Sequence, residues 1–282
     1  MNVGEAIPVV LDTDIGDDID DAYALVLAAV WPKVHLEAVT TAHGPTLSRA
    51  RLARKLLDIC GQPHVAVYAA DDREGDNPQL DWATDYPYRR PPESAAEALV
   101  RMANEQPGRL TLVPIGPLTN LGRALDLDPD FGRKLRRIVL MGGWVYRSYS
   151  PESTEPAYNI RSDVPAAKKV FSCGADLTMV GLDACMETRF TTERQEQLAA
   201  SGKPWAGALV ELTRRWSGQV PILYDAITLA TVAENFCRLE QMRIEVQDDG
   251  QTRPVEGEPN CRAAVEADAQ AFLDWYVRTV CE

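Results

Sequence analysis

A dense group of carboxylates lies close to the N-terminus, where an apolar run meets a segment of helix-forming residues. Six aspartates fall within ten residues there: Asp12, Asp14, Asp17, Asp18, Asp20 and Asp21. Asp12 and Asp14 are two positions apart, so their side chains share one face if this stretch is a strand. Acidic residues also occur at helix N-termini, where they cap the helix and interact with its dipole. Crowded carboxylates repel one another by about 1 kcal/mol or more per close pair, and a bound divalent cation would remove that cost.

The donor atoms in this group are all hard carboxylate oxygens, with no cysteine or histidine nearby. Such donors select Ca²⁺ or Mg²⁺ over zinc. The EF-hand pattern does not fit, because Gly16 would take a ligand position and Asp17 would replace the required turn glycine. We therefore expect a cation site where the strand ends, at the carboxyl edge of a parallel sheet.

The elements that must position these aspartates alternate along the chain. Short β-branched runs predict strands, and apolar residues at helical spacing predict helices. The predicted strands cover residues 7–11, 34–41, 65–69, 110–113, 138–141, 177–182, 242–246 and 263–265. The predicted helices cover 22–30, 47–60, 94–105, 118–127, 165–171 and 270–280, and the chain from 191 to 235 is expected to be mostly helical. This alternation predicts a single α/β domain over residues 1–282, with a mostly parallel central sheet flanked by helices.

Two long stretches, 71–92 and 144–162, show no clear periodicity. Loops longer than about 12–15 residues are usually functional or disordered. Because the first stretch is rich in aromatic residues, we expect it to be functional. Trp82 and Trp144 are the candidates for stacking against a ligand.

The chain carries 29 lysine and arginine residues against 42 aspartate and glutamate residues, a net charge of −13. This balance argues against nucleic acid as a partner and is compatible with a cationic ligand. The six cysteines lack the spacing of a zinc site and are expected to be buried or free thiols. No signal-peptide pattern and no apolar run of about 20 residues is visible, so we expect a cytoplasmic protein without a membrane segment.

The acidic segment, DTDIGDDIDDAYAL, resembles the aspartate fingerprint of the nucleoside hydrolases, the inosine–uridine-preferring N-ribohydrolase family. Four later segments resemble the family in the same order: VTTAHGPTLSRARLARKLL (Val39–Leu57), LVPIGPLTNL (Leu112–Leu121), IVLMGG (Ile138–Gly143) and MVGLDAC (Met179–Cys185). The step Tyr224-Asp225-Ala226 is similar to the family's C-terminal metal-binding aspartate. The combination is specific and spans nearly the whole chain, whereas a DxDxG motif alone would be weak.

The resemblance implies Ca²⁺ at the strand ends of an α/β domain, and a homodimer or homotetramer. It implies that Ca²⁺ is held by the carboxylates of Asp14, Asp21 and Asp225 and by the backbone carbonyl of Ile115.

Other residues receive catalytic or binding roles through the same resemblance. Asp20 corresponds to the general base. The loop after Gly16 is two residues longer than in the protozoan-type motif, so Asp18 is a second candidate for the base. Asp12 corresponds to an aspartate that supports the site and touches the ribose, and Asn159 corresponds to an asparagine that hydrogen-bonds the sugar.

The implied reaction is hydrolysis of the bond between a ribose C1′ and a base nitrogen, as in purine and pyrimidine salvage. It passes through an oxocarbenium-like transition state, which nearby negative charge stabilises. Ca²⁺ accepts about 6–8 oxygen ligands, so it can hold the ribose hydroxyls together with a water whose pKa it lowers. A neighbouring carboxylate then takes the proton as the water attacks. The resemblance leaves the nucleobase and the sugar of this nucleoside-like substrate open.

Three departures from the family bear on substrate and rate. The stretch His43-Gly44-Pro45 lacks the asparagine that often follows the glycine, and His43 is a candidate for a substitute polar contact. Ala157 stands where the family commonly has a glutamate. Tyr224 stands where many members have the histidine that protonates the departing base. A phenol with a pKa of about 10 donates a proton poorly at neutral pH, although it can hydrogen-bond or stack. Trp82 or Trp144 could activate the leaving group instead by stacking on the base.

Two other functions fit parts of the sequence. Asp12-Thr13-Asp14 after an apolar strand also resembles the opening of haloacid-dehalogenase-type phosphatases, which use Mg²⁺ and an aspartyl nucleophile, but no convincing downstream lysine follows. A non-catalytic Ca²⁺- and ribose-binding protein of the same fold is the second alternative. The missing asparagine, glutamate and histidine favour it, whereas the retained acidic cluster argues against it.

Overall fold

The central sheet places the acidic segment inside the molecule. The computed structural model describes residues 6–75, 77–150, 152–216, 218 and 220–282. Within these ranges nine strands form the sheet: β1 (Ile7–Thr13), β2 (Val34–Thr41), β3 (Ala66–Ala69), β4 (Thr111–Pro114), β5 (Arg137–Met141), β6 (Leu177–Val180), β7 (Cys237–Val246), β8 (Thr252–Val255) and β9 (Cys261–Ala267).

The order of the strands is β3-β2-β1-β4-β5-β6-β9-β7-β8. The seven strands from β3 across to β9 are parallel, and β7 and β8 are antiparallel additions at one edge. The predicted mostly parallel sheet is therefore confirmed. Strand β8 is an addition to the predicted set, because a four-residue edge strand that contains Pro254 gives little strand signal.

Helices flank the sheet as expected. Over the described ranges they are α1 (Asp20–Val30), α2 (Thr46–Ile59), α3 (Ala95–Glu105), α4 (Thr119–Leu127), α5 (Phe131–Lys134), α6 (Tyr158–Arg161), α7 (Val164–Ser172), α8 (Leu182–Cys185), α9 (Thr192–Ala200), α10 (Pro204–Arg215), α11 (Tyr224–Ala230) and α12 (Ala269–Cys281). A 3₁₀ turn spans Leu80–Ala83 in the first irregular stretch. Within the described part of the chain, no helix has the length and apolar character needed to cross a membrane.

The helix that follows the acidic turn, α1, is buried along nearly its whole length. Every residue from Asp20 to Ala29 is buried, and the helix packs against α2, α11 and α12. The ring of Tyr23 lies edge-on to that of Phe190, with 5.1 Å between ring centroids. Burial of this apolar surface, at about 25 cal/mol per Å², fixes the helix against its neighbours. The first residues of α1 are therefore held firmly beside the end of β1.

The strand order reverses at β1, which lies between β2 and β4. The connections after β1 and β4 therefore leave the sheet toward different sides, and a crevice opens at the carboxyl ends of these strands. This is the edge at which the sequence predicts the cation site.

Candidate active site

A cavity of about 410 Å³ opens at the carboxyl ends of β1 and β4. Its acidic floor combines aspartates from the turn after β1, from the first residues of α1 and from the start of α11. Asp14, Asp20, Asp21 and Asp225 are each at most 5% exposed. Asp18 also lines the cavity but is exposed to solvent. The fold thus brings together the aspartates that the sequence assigns to catalysis and to metal binding.

Three of these carboxylates converge most closely. Asp20, Asp21 and Asp225 each offer an oxygen within 4.8 Å of those of the other two. The Thr13 hydroxyl donates to Asp21, and the backbone N–H of Asp225 donates to Asp20 Oδ2 at 3.1 Å. One oxygen of Asp20 is therefore held by the start of α11. Asp14 lines the same cavity but lies outside this closest trio.

No lysine, arginine or histidine is among the described residues that line the cavity. Burial raises the pKa of Asp14 from 3.8 to about 7. Burial, reinforced by the neighbouring carboxylates, raises the pKa of Asp20, Asp21 and Asp225 well above the same ordinary value. The Arg49 guanidinium, outside the cavity, offsets only part of the rise in the pKa of Asp14 and Asp21. These acids can therefore all be ionised at neutral pH only if further positive charge is supplied. A set of hard carboxylate oxygens in this state fits Ca²⁺ or Mg²⁺.

Asp12 and His43 lie beside the cavity. Asp12 is fully buried, and its Oδ1 accepts hydrogen bonds from Thr40 Oγ1 at 2.5 Å and Asn120 Nδ2 at 2.7 Å. Asp12 thus ties β1 to β2 and α4, and it is not among the described residues that line the cavity. His43 lines a separate cavity of about 260 Å³, and its ring lies 6.1 Å from that of Tyr158.

Asn159 lies in α6 and lines the cavity together with Ile115. Its Nδ2 donates to the carbonyl oxygen of Ile115 at 2.6 Å and to that of Met141 at 3.3 Å. The carbonyl predicted to bind the metal therefore accepts one hydrogen bond, and its second lone pair is available for another contact.

The remaining lining residues are aromatic or apolar: Met141, Tyr149, Tyr158, Leu182 and Tyr224. We refer to Tyr149, Tyr158 and Tyr224 as the tyrosine wall. The Tyr149 hydroxyl accepts from the backbone N–H of Tyr158 at 3.0 Å, and the Tyr224 hydroxyl contacts the Met186 sulfur at 3.6 Å. Burial raises the pKa of all three phenols above 10.0, and nearby aspartates add to this. The wall is therefore neutral at physiological pH.

The two tryptophans predicted to stack on a ligand are engaged elsewhere. Trp82 packs on α2, where Lys55 Nζ lies 3.8 Å from the centroid of its ring. Trp144 Nε1 donates to the carbonyl oxygen of Glu155 at 3.0 Å, within its own loop. Neither tryptophan is among the described residues that line the cavity, where the aromatic surface comes from the tyrosine wall.

Sequence reasoning did not single out Tyr149 or Tyr158. Tyr158 immediately precedes Asn159, and that adjacency is a signal that could have identified it. Nothing in the local pattern distinguishes Tyr149 from Tyr146, three residues earlier, which is 64% exposed. The position of Tyr149 depends on how its loop folds back over the sheet.

Together these features define an α/β protein with an acidic cavity of about 410 Å³ at the point where the strand order reverses. The model of the inosine-uridine preferring nucleoside hydrolase family matches residues 9–274. The chain therefore belongs to this family, and its activity is the hydrolysis of the N-glycosidic bond of ribonucleosides. This confirms the resemblance drawn from the motifs and decides against a haloacid-dehalogenase-type phosphatase.

Individual relatives agree with the family. The probable uridine nucleosidase 2 of Arabidopsis thaliana is 33% identical over 220 residues, which are 71% of this chain and 67% of the plant protein. The pyrimidine-specific ribonucleoside hydrolase RihA of Citrobacter koseri is 28% identical over 304 residues, covering 95% of this chain and 96% of that protein. The structure of the plant nucleoside hydrolase PpNRh1 matches with a TM-score of 0.86 and 26% identity, over 97% of this chain and 98% of that one.

Proposed function

We propose that the protein hydrolyses a ribonucleoside to free base and ribose in a Ca²⁺-dependent reaction, with Asp20 as the proton acceptor. The observation that carries this proposal is a cavity lined by six aspartates and, among the described residues, by no basic side chain. Buried carboxylates at this density need a cation. A site that only binds a sugar through a metal does not need a further buried carboxylate beside the metal ligands.

The ligands for Ca²⁺ would be the carboxylates of Asp14, Asp21 and Asp225 and the carbonyl oxygen of Ile115. All four residues line the cavity. Since Ca²⁺ accepts about 6–8 oxygens in flexible geometry, four protein ligands leave positions for the hydroxyls of a ribose. When bound, Ca²⁺ would supply positive charge that orients the substrate and lowers the pKa of a water.

Asp20 is suited to take the proton from the attacking water. It is 2% exposed, and the hydrogen bond from the Asp225 N–H fixes the orientation of its carboxylate. A carboxylate with a raised pKa is a stronger base, better matched to proton transfer near neutral pH. Desolvation and the nearby Asp17 raise the pKa of Asp18 as well, so the choice between the two rests on position. Asp18 is exposed, and its Oδ1 accepts from the backbone N–H of Ile19 at 2.7 Å. Because Asp20 also belongs to the closest trio of carboxylates, its role must be tested for metal binding as well as for turnover.

The tyrosine wall would contact the nucleobase. Three neutral phenols offer aromatic surface and hydrogen bonds, but no acid that gives up its proton near neutral pH. The relatives described above are named for uridine and for pyrimidine ribonucleosides. We therefore infer a pyrimidine ribonucleoside as the substrate and take uridine as the first compound to test.

The test is release of free ribose from uridine, cytidine, inosine and adenosine, measured with Ca²⁺, after chelation and after Ca²⁺ is restored. We expect release from uridine that stops on chelation and returns with Ca²⁺. Asp225→Asn should abolish both Ca²⁺ binding, measured by calorimetry, and ribose release. Binding of Ca²⁺ and nucleoside without ribose release would support the non-catalytic alternative. Release that persists after exhaustive chelation would contradict the metal dependence.

A further inference from the structure

One buried cation lies directly behind the acidic floor. Arg49 is in the first turns of α2, and its side chain is only 2% exposed. It is not among the described residues that line the cavity, so a substrate would not touch it. A guanidinium buried to this degree must have partners for its donors and its charge.

All three nitrogens of the Arg49 guanidinium donate to the loops at the cavity. Nε donates to the carbonyl oxygen of His43 at 2.8 Å. Nη1 donates to the carbonyl oxygens of Asp14 and Ile15, the latter at 3.0 Å. Nη2 forms an ion pair with Asp17 Oδ2 at 2.7 Å. A single side chain therefore joins the turn between β1 and α1 to the turn between β2 and α2.

The turn between β1 and α1 has a shape that glycine adopts more easily than other residues. Gly16 has φ +112°, in the left-handed region, and a Cβ there would lie 2.4 Å from a methyl carbon of Leu80. From its other side, Asp17 accepts from Asn77 Nδ2 at 3.0 Å, and its backbone carbonyl accepts from Gln79 Nε2 at 2.9 Å. Asp17 is thus held between Arg49 and the segment that carries Asn77 and Gln79.

We propose that Arg49 is a positioning residue for hydrolysis, because its guanidinium fixes the backbone of Asp14 and Ile15 and so keeps the Asp14 carboxylate in the cavity. Lysine cannot replace it fully, since a single ammonium nitrogen cannot reach all four acceptors as the three nitrogens of the planar guanidinium do. The expected loss of turnover rests on the hydrolase activity of the family. Only the expected loss of Ca²⁺ affinity rests on the proposed function.

The same helix provides a matched control. Arg54 donates from Nη1 to the carbonyl oxygen of Val65 at 2.5 Å and from Nη2 to that of Gln62 at 2.7 Å. It also pairs with Asp58 at 2.8 Å, and its side chain is 14% exposed. Arg54 therefore makes the same kinds of contact as Arg49, but its carbonyl partners lie beyond the C-terminal end of α2 and not in the turns beside the cavity.

The experiment compares Arg49→Met, Arg49→Lys and Arg54→Met in the full-length protein. Melting temperature, Ca²⁺ affinity by calorimetry, and kcat and KM for uridine are measured for each. We expect Arg49→Met to weaken Ca²⁺ binding and to lower kcat by about tenfold or more, because it removes the donor that holds the buried carbonyl oxygens of Asp14 and Ile15. Arg49→Lys should restore part of both losses. Arg54→Met should lower the melting temperature while Ca²⁺ affinity and kcat stay at wild-type values.

The proposal is overturned if Arg49→Met and Arg54→Met behave alike, with lower melting temperatures and unchanged Ca²⁺ affinity and kcat. If Arg49→Met does not fold, Arg49→Lys and Asp17→Asn test the proposal instead. Asp17→Asn should fold, since Asp17 is 41% exposed and the asparagine side chain has the same shape as aspartate. Wild-type values for both variants would then overturn the proposal. If the wild-type enzyme hydrolyses uridine without binding Ca²⁺, the metal dependence fails separately and Arg49 is judged on kcat. If it binds Ca²⁺ without hydrolysing any nucleoside, Arg49 is judged on Ca²⁺ affinity.

Discussion

The acidic floor and the tyrosine wall meet in one cavity but are built in different ways. The floor comes mainly from neighbouring residues in the sequence, at the end of β1 and the start of α1, completed by the start of α11. The wall comes from three separate places: Tyr149 from the loop after β5, Tyr158 from the first residue of α6 and Tyr224 from the first residue of α11. Charge in this cavity is therefore positioned by the sheet and its helices, whereas the aromatic surface depends in part on a loop.

The start of the loop after β5 is held by a buried carboxylate. Asp183, in α8, accepts hydrogen bonds from the backbone N–H groups of Val145 and Tyr146 at 2.7 Å each and of Arg147 at 2.8 Å. Hydrogen bonds to an ionised acceptor are shorter and stronger than neutral ones. They fix the start of the loop two residues before Tyr149. The two regions thus predict different consequences of substitution, since the floor should govern turnover and the wall should govern substrate binding.

The largest expected effect separates Asp20 from Asp18 within the floor. Asp20→Asn keeps the size of the side chain and removes the base, so kcat should fall by about 10²–10⁴-fold, the usual contribution of general acid–base catalysis. Ca²⁺ binding should be retained. Asp18→Asn should have a mild effect because that side chain is exposed. Steady-state kinetics with uridine and calorimetry with Ca²⁺ measure both outcomes. If Asp18→Asn stopped turnover and Asp20→Asn did not, the assignment of roles across the longer turn would be wrong.

The second prediction asks whether the wall takes part in proton transfer. Burial, with Asp20 and Asp18 nearby, raises the pKa of Tyr224, so this phenol gives up its proton poorly. A p-nitrophenyl riboside, whose leaving group needs no protonation, should therefore react faster than uridine or inosine by about 10²–10⁴-fold. Tyr224→Phe should cost little with that activated substrate. The prediction would be wrong if uridine and the activated riboside reacted at equal rates and Tyr224→Phe lost only the uridine reaction. Tyr224 would then be the general acid that protonates the leaving base.

The contrast between floor and wall also explains what the sequence could predict. The parallel α/β pattern places strand ends at one edge of the sheet, and six clustered aspartates at such an end locate the floor. The spacing of Asp12 and Asp14 was misleading in one respect, because β1 ends at Thr13 and the alternation of a strand does not extend to Asp14. As a result, Asp14 lines the cavity and Asp12 is buried beside it.

The family motif pointed to Tyr224, but Tyr149 and Tyr158 could not be predicted in the same way. Lys55 lies 27 positions before Trp82 and holds that ring on α2, away from the cavity. Asp183 lies 36 to 38 positions after the three backbone N–H groups that it binds. Such pairs leave no local periodicity, so the choice among the aromatic residues of two irregular stretches could be made only from the folded structure.

The third prediction concerns the floor and pH. Burial raises the pKa of Asp14 from 3.8 to about 7. A carboxyl group whose pKa is raised by folding contributes stability that is complete below its unfolded pKa and is lost as pH rises through the folded pKa. The metal-free protein should therefore lose stability between about pH 4 and pH 7, while ionised ligands bind Ca²⁺ more tightly over that range. Melting temperatures with Ca²⁺ and with a chelator, at about pH 5 and about pH 8, should show a larger Ca²⁺ effect at the higher pH. An effect that shrinks or stays constant would argue that the cation does not bind at the floor.

The smallest expected effect tests the anchor of the wall. Asp183→Asn replaces a charged acceptor of three backbone N–H groups by a neutral amide, so the loop that carries Tyr149 should become less ordered. We expect KM for uridine to rise by up to about tenfold, equivalent to about 1.4 kcal/mol, with kcat and Ca²⁺ affinity unchanged. Asp163→Asn is the matched control, since Asp163 caps α7 by accepting from the N–H of Ala166 at 3.1 Å and does not line the cavity. It should lower the melting temperature without changing KM. A fall in kcat and Ca²⁺ affinity for Asp183→Asn, with KM unaltered, would mean that the loop supports the floor. The floor and the wall would then not have separate effects on turnover and on substrate binding.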